Sequence, residues 1–366
     1  MSGGVRAVAE FAAELQRRGH EVTVISAPYP PPAVADQMRS ILYRRPWPGR
    51  GGKRPSHLDA CKIRHIVIDS ARPIAETDVP DGDVIIATWW RTAEWVGGFS
   101  DRKGIKFHLI QHYETWGGDK DRVDATWRLP LRRIVVSKWL ADLARDKFND
   151  DEAILIHYGL DHAQFTAPPR GRQKEPTVGI VYSLTKFKGC DIALRAVELA
   201  SQTIRGLKLL AFGVVLPVRE LPLLAGARYV LNPGQDRLRE IYATCDVFLC
   251  ASHAEGFYLP ALEAMACRCP VVSTRVGWPM EGIVDGVNGY LAETGDAAGL
   301  AAGMVKTLTL SDEQWKQMSD AAYAAASRYT WQNAGEKIEA VMAQAMKTRS
   351  SVASAVAPTA AANPGV

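Results

Sequence analysis

Residues 254–266 read Ala254-Glu255-Gly256-Phe257-Tyr258-Leu259-Pro260-Ala261-Leu262-Glu263-Ala264-Met265-Ala266 and set two carboxylates, Glu255 and Glu263, astride a loop-to-helix junction. Pro260 suits the first helical position, where its missing N–H costs nothing. The amides at such a start have no carbonyl partner within the helix and carry the positive end of its dipole, so the junction is built to hold an anion, and a phosphate fits. Glu255 precedes the helix and Glu263 lies one turn inside it. The two acids can therefore reach different parts of one ligand, as a sugar and a ribose attached to the same diphosphate would require. The plainer account of Glu263 is a glutamate near the helix start that the dipole favours.

The chain's 366 residues are long for one core and natural for two domains, and 47% hydrophobic with 23% charged residues is ordinary globular composition. A balance of 44 basic to 40 acidic residues is too even for a general nucleic-acid binder. The six cysteines are scattered through apolar segments, and no secretory signal pattern is visible, so reduced thiols and a cytoplasmic setting are expected. Cys267-Arg268-Cys269 has neither zinc spacing nor a second pair, and reads as buried core. No apolar run approaches the ~20 residues of a membrane-spanning helix.

Strand-like runs alternate with helical patterns almost throughout, the signature of parallel βα units. Residues 5–17 carry Val5, Val8, Phe11, Ala12 and Leu15 at helical spacing and stop at Gly19. Short buried strands are expected at 21–26, 64–69, 83–88, 106–111, 133–137 and 153–157, and a Pro-rich linker after Phe165. A second series follows at 177–182, 207–212, 228–231, 247–251 and 270–273, with a closing helix at 331–346. The domains expected are 1–168, 169–330, a closing helix to 347 and a disordered Ala/Ser/Pro tail at 348–366. A Rossmann-like half normally opens with a strand that feeds its glycine loop, yet Met1-Ser2-Gly3-Gly4 is already the loop. The expectation is a first strand missing from this chain because the reading frame starts upstream or the chain is trimmed; the alternative is a sheet closed by another strand.

On the paired-glutamate run the chain resembles a retaining glycosyltransferase of family 4, with a further likeness to a subset that adds rhamnose-type sugars. The resemblance implies an α/β chain of GT-B type: two facing Rossmann-like domains with a cleft between them, an acceptor side first and a nucleotide-sugar side second. It also implies that Glu255 touches hydroxyls of the donor sugar and Glu263 the ribose, while backbone around Gly256, Phe257, Tyr258 and Leu259 faces diphosphate and sugar. In Tyr182-Ser183-Leu184-Thr185-Lys186-Phe187-Lys188-Gly189, Lys188 would bind the leaving diphosphate. The family's arginine five or six positions before Lys-Gly is absent here, where Ser183 and Tyr182 stand. Lys186 either supplies the second charge, as a point charge without bidentate geometry, or is a solvated lysine.

Gly3 and Gly4, ahead of a helix, match a glycine pair that the family sets beside the donor phosphates and the acceptor. His112, in Gln111-His112-Tyr113-Glu114, ends a predicted strand, where open α/β sheets gather catalytic groups; it is a sugar-contacting histidine by resemblance or a core histidine by burial. His108 and His112 are too far apart along a strand to share a metal, and no metal site or cofactor is expected beyond a co-substrate such as a UDP-, GDP- or dTDP-sugar. Asn232-Pro233-Gly234 takes a position where similar enzymes pass backbone along the nucleotide base. Gly277-Trp278-Pro279-Met280-Glu281 replaces the family's Gly-Gly-x-x-Glu, with a changed turn as the expected result.

Arg39, Arg44, Arg45, Arg50, Lys53, Arg54, Lys62 and Arg64 make the 39–64 loop basic, to meet an anionic glycan or lipid-linked acceptor or the inner membrane face, or simply as a solvated loop. The resulting expectation is a cytoplasmic, metal-independent transferase of polysaccharide biosynthesis, carrying hexosyl or deoxyhexosyl groups to a glycan, lipid-linked or small-molecule acceptor. A nucleotide-sugar epimerase of the same fold and an impaired nucleotide-sugar-binding protein are the alternatives. Neither a dinucleotide fingerprint at Gly3-Gly4-Val5-Arg6 nor a phosphate loop at Gly52-Lys53-Arg54 is complete.

Overall fold

The computed structural model describes residues 3–28, 38 and 57–356. The chain forms two compact units: Met1–Ile110 with Glu114–Ile134 and Ala334–Val366, and Gln111–Tyr113 with Val135–Asn333. The linear reading divides the chain at 168 and 169, whereas these contacts carry residues 135–168 into the second unit. Bonds of residues 138–158 run within the second unit. His157 Nε2 lies 2.7 Å from Glu281, the Lys138 amide donates to the same carboxylate, and the Tyr158 hydroxyl donates to Gln111 at 2.6 Å. Composition marks the Pro-rich stretch but is blind to such bonds.

In the first unit the helix Gly3–Arg17 buries Ala9, Phe11, Ala12 and Leu15 on one face. Gly3 and Gly4 are themselves its opening residues, not a loop before it, and Gly3 has open space around its Cα. Strand β1 (Thr23–Ser26) pairs in parallel with β2 (Arg64–Val67), Thr23 opposite Arg64 and Ser26 opposite Val67. Strand β3 (Val84–Ala87) pairs in parallel with β4 (Ile105–Ile110), Val84 opposite Ile105. Among the described residues β1 and β2 form a sheet of two strands, separate from the sheet of β3 and β4. Arg39, Arg44, Arg45, Arg50, Lys53 and Arg54 of the basic loop lie outside the described residues. The short strands β5 (Arg132–Val135) and β6 (Ile154–Leu155) follow.

The second unit is built on six parallel strands, β7 (Thr177–Val181), β8 (Lys208–Gly213), β9 (Arg228–Leu231), β10 (Val247–Cys250), β11 (Val271–Thr274) and β12 (Gly289–Ala292), in the order β12-β11-β10-β7-β8-β9. The chain starts mid-sheet, winds outward to β9, then returns to β10 and winds the other way. This reversal between β7 and β10 is the switch point of a doubly wound sheet, outside whose carboxyl ends ligands bind. Helices Cys190–Ser201 and Ala297–Leu308 bury Ala193, Val197, Leu300 and Met304 against Val178, Ile180 and Leu249. Trp315, fully buried on the helix Asp312–Ala326, donates its indole N–H to the Asp246 carbonyl at 3.1 Å. All six cysteines are free, and five are buried.

Strand β12 is absent from the sequence reading, being four residues long beside a turn-rich stretch. The closing helix runs Trp331–Val356, so residues 348–356 are helical where disorder is expected from 348. Alanine favours the helix, and Pro358 disfavours helical geometry at the residue before it. No helix among the described residues is long and apolar enough to cross a membrane.

His108 on β4 is fully buried, and burial, helped by nearby Arg133, lowers its pKa to about 3. The fold therefore holds the neutral ring, whereas the unfolded chain takes up a proton near pH 6.5. Stability supplied this way is complete above pH 6.5 and falls on acidification toward pH 3, by about 1.4 kcal/mol per pH unit. Burial raises Glu114 in the same unit to about 7, which opposes that slope over part of the range. The informative measurement is thus a difference: denaturant unfolding of wild type and His108→Leu between pH 4 and 7, with the wild type losing more stability as pH falls. Parallel curves would remove His108 from the account.

Candidate active site

Two loops leave the carboxyl ends of the switch-point strands. After β7, residues 182–189 end in the single turn Lys186–Lys188 and then Gly189, from which the helix Cys190–Ser201 begins. Gly189 has φ +58°, and a Cβ on it would collide with the Ala251 carbonyl oxygen just beyond β10. Only glycine lets the two loops approach so closely. Across that contact the Lys188 ammonium lies 2.7 and 2.9 Å from the two carboxylate oxygens of Glu255. Ser252 donates a third hydrogen bond to this carboxylate at 2.7 Å. Glu255 is buried, and the Lys188 side chain is about one-third exposed at 32%.

Gly256 is pressed against the backbone of Gln111, where a Cβ would strike the carbonyl oxygen. Its own carbonyl accepts from the Ser137 hydroxyl at 2.6 Å and from the Trp139 indole at 3.0 Å. The Phe257 carbonyl accepts the Trp278 amide at 2.7 Å, and the two rings stack at 6.1 Å. Tyr258 then turns the chain with φ +80°, a left-handed conformation a tyrosine rarely adopts, and caps the helix Leu259–Ala266 without a side-chain hydrogen bond. Its ring is buried, within 5.7 Å of the Lys188 ammonium. Pro260 is the second helical residue and not the first; a helix start leaves that amide unpaired too, so the proline is equally tolerated.

Glu263, on the first turn and a half of this helix, is buried and accepts the Tyr242 hydroxyl at 2.8 Å. Its carboxylate is therefore held in place by the helix Gln235–Ala243. His112 stands close by: its Nδ1 lies 3.0 Å from the Tyr113 carbonyl, its ring is 5.9 Å from Phe187 and 6.2 Å from Trp139, and Glu255, Lys188 and the Ala254 backbone act on it. Burial holds this imidazole below its usual pKa, so it is neutral at pH 7.

The structure thus brings Glu255, Gly256, Tyr258, Lys188 and His112 into one neighbourhood of the second unit. Ser183 accepts the Thr185 amide and lines, with exposed Lys186 and His253, an adjoining cavity of about 600 Å³. Tyr182, in a place where an arginine is expected of the family, is buried and bonds to the backbone of Val218 and Leu221. Gly3 and Gly4 belong to the other unit. Ser252, Tyr242, Ser137 and Trp139 were not legible as site residues. Ser252, three positions before Glu255, offered a local hint; the others come from distant segments. Glu281 bonds His157 and the Lys138 amide. Among the described residues no three His, Cys, Asp or Glu gather as metal ligands.

Helix starts and the switch points of doubly wound sheets are general places for anions and ligands, and Lys188, buried Glu255 and the start of the helix Leu259–Ala266 meet at this one. The family models for Glycosyltransferase Family 4 and Glycosyl transferases group 1 match residues 1–164 and 164–325. The chain belongs to glycosyltransferase family 4. It is 34% identical over 171 residues to D-inositol 3-phosphate glycosyltransferase of Xylanimonas cellulosilytica, covering 44% of this chain and 41% of that one. To the protein of that name from Acidothermus cellulolyticus it is 30% identical over 261 residues, covering 64% and 57%. The matches therefore span roughly half the length of these relatives.

Among solved structures, sucrose-phosphate synthase from Thermosynechococcus elongatus superposes with a TM-score of 0.70 at 18% identity, covering 93% of each chain. Anabaena HepE in complex with UDP-glucose gives 0.71 at 16% identity, covering 94% of this chain and 96% of that one. The fold is GT-B, with two Rossmann-like units.

Gly256→Ala tests the close packing. The added methyl cannot fit beside Gln111 without moving the loop that carries Glu255, and a loss of roughly 1–3 kcal/mol is expected, the usual cost of overpacking. Calorimetry reads it; an unchanged melting temperature would show that the loop yields freely.

Proposed function

We propose that this chain is a retaining, metal-independent glycosyltransferase that grips a nucleotide-sugar donor in its second unit and transfers the sugar to a glycan, lipid-linked or small-molecule acceptor. The observation that carries the reading is the Lys188–Glu255 pair beside the helix start at Leu259. An ammonium group has three N–H donors, so Lys188 can keep its bond to Glu255 and still donate to a phosphate oxygen. The helix start adds backbone amides and dipole at the same place. As the bond from anomeric carbon to diphosphate oxygen loosens, negative charge grows on the leaving phosphate, and these fixed donors stabilise it.

Glu255 has its own part in this scheme: with Lys188 and Ser252 holding it in place, it accepts hydrogen bonds from donor-sugar hydroxyls. Glu263, oriented by Tyr242, takes the ribose hydroxyls. His112, neutral at pH 7, is proposed to stand beside the sugar, its ring held next to Glu255 and Lys188. The acceptor attacks from the face the phosphate leaves, and that phosphate takes the acceptor's proton. UDP-sugars are the first donors to test, since HepE is seen with UDP-glucose. The proposed setting is polysaccharide biosynthesis in the cytoplasm, with the basic 39–64 loop toward an anionic acceptor or membrane surface.

Thermal-shift screening of UDP-, GDP- and dTDP-sugars is expected to single out one base, because a bound donor stabilises the fold by RT ln(1 + [L]/Kd). With that donor, Lys188→Ala and Glu255→Gln are each expected to lower kcat/KM about 10²–10³-fold, the scale seen on removing a preorganised transition-state contact. Wild-type turnover in Lys188→Ala would refute the assignment, and a new sugar formed from donor alone would mark an epimerase instead.

A further inference from the structure

Tyr258 holds a backbone conformation that its own side chain disfavours. At φ +80° a glycine would sit without strain, and a bulky residue persists there only where its contacts hold it. Its side chain is buried, 8% exposed, and its hydroxyl donates to the thiol of Cys250 at the end of β10. Burial raises the phenol's pKa well above its ordinary value, so the hydroxyl keeps its proton and brings no second negative charge toward Glu255. Packing alone asks only for an apolar side chain here. What lies over this ring is a cation.

The Lys188 ammonium stands 5.7 Å from the centre of the Tyr258 ring, inside the ~6 Å within which the negative face of an aromatic ring attracts a cation. It also stands 5.3 Å from the centre of the Phe187 ring. Phe187 belongs to the same single turn as Lys188 and moves with it. Tyr258 stands on the other loop, at the cap of the helix Leu259–Ala266. That difference matters because an ammonium is a point charge on a flexible stem: a carboxylate attracts it without fixing the direction of its approach. The Lys188 side chain is one-third exposed, so water competes for it. Glu255 sets how far the ammonium lies from the carboxylate, and the Tyr258 ring sets the side on which it lies.

We propose that Tyr258 is a positioning residue: its ring holds the Lys188 ammonium on one side of the Glu255 carboxylate, in the direction that a leaving phosphate at the helix start requires. This rests on the reading of Lys188 as the group that meets that phosphate, and adds the side chain through which its place is set. A donor already in position stabilises developing charge without reorganising, so an ammonium left free to swing loses transition-state stabilisation before ground-state binding. The left-handed turn then serves two ends, since one helix cap presents amides to an anion and sends a ring beneath the cation.

The test compares Tyr258→Leu, which keeps an apolar side chain at the turn, with Tyr258→Phe, which keeps the ring and loses the hydroxyl. Tyr258→Leu is expected to lower kcat about tenfold with donor KM changed less than about threefold, and Tyr258→Phe to recover most of that loss. A second readout needs no donor: the NMR signal of the Lys188 methylene next to the ammonium, identified by its loss in Lys188→Met. A ring face shields nuclei above it, so this signal moves in Tyr258→Leu and stays near its wild-type position in Tyr258→Phe. Tyr258→Gly, free of left-handed strain, repeats the comparison should the leucine variant not fold. Equal effects of leucine and phenylalanine on kcat, or an unmoved Lys188 signal, would overturn the proposal, as would a lowered melting temperature with wild-type kcat. If the wild type turns over no donor, the function assigned to the chain fails, and the Lys188 signal alone decides: moved in Tyr258→Leu, the ring holds the ammonium; unmoved, it does not.

Discussion

Everything at the candidate site depends on how closely the backbone at Gly256 packs. Its Cα rests against the Gln111 carbonyl, and its own carbonyl is held by Ser137 and Trp139. With no side chain at this position, the segment after β10 lies against residues 111–113, which brings His112 beside Glu255. Gly189 does the same for the other loop, letting Lys188 meet Glu255 over the end of β10. Two glycines thus set the distances among one cation, one acid and one imidazole.

The charges need that closeness. A buried carboxylate is costly unless paired and hydrogen-bonded, and Glu255 has both Lys188 and Ser252. Tyr258 shows what the turn costs in backbone terms: a non-glycine residue held at φ +80° persists only where its surroundings over-determine it, as happens at functional sites. Its buried ring and the helix that follows supply that constraint, and the same helix start supplies the amides an anion requires.

The two units use the winding plan unequally. The second has all six strands and a filled core, so its switch point is rigid ground for a ligand. In the first, the described strands form separate sheets beside a cavity of about 570 Å³ lined by apolar and charged side chains.

Sequence by itself determined the alternation of strands and helices, because continuous apolar runs and helical spacing are local patterns; eleven expected strands stand within a residue or two of β1 to β11. It also determined the helix start between Glu255 and Glu263 and the candidacy of Lys188, since proline, glycine and charge carry their meaning in short windows. Only the tertiary structure decided which residues complete the site. Ser137, Trp139, Tyr242 and Gln111 reach it from segments 21 to 145 positions away, and no local pattern encodes that meeting. The grouping of residues 135–168 with the second unit likewise rests on contacts between distant segments, because composition measures the average character of a segment and hydrogen bonds join particular atoms.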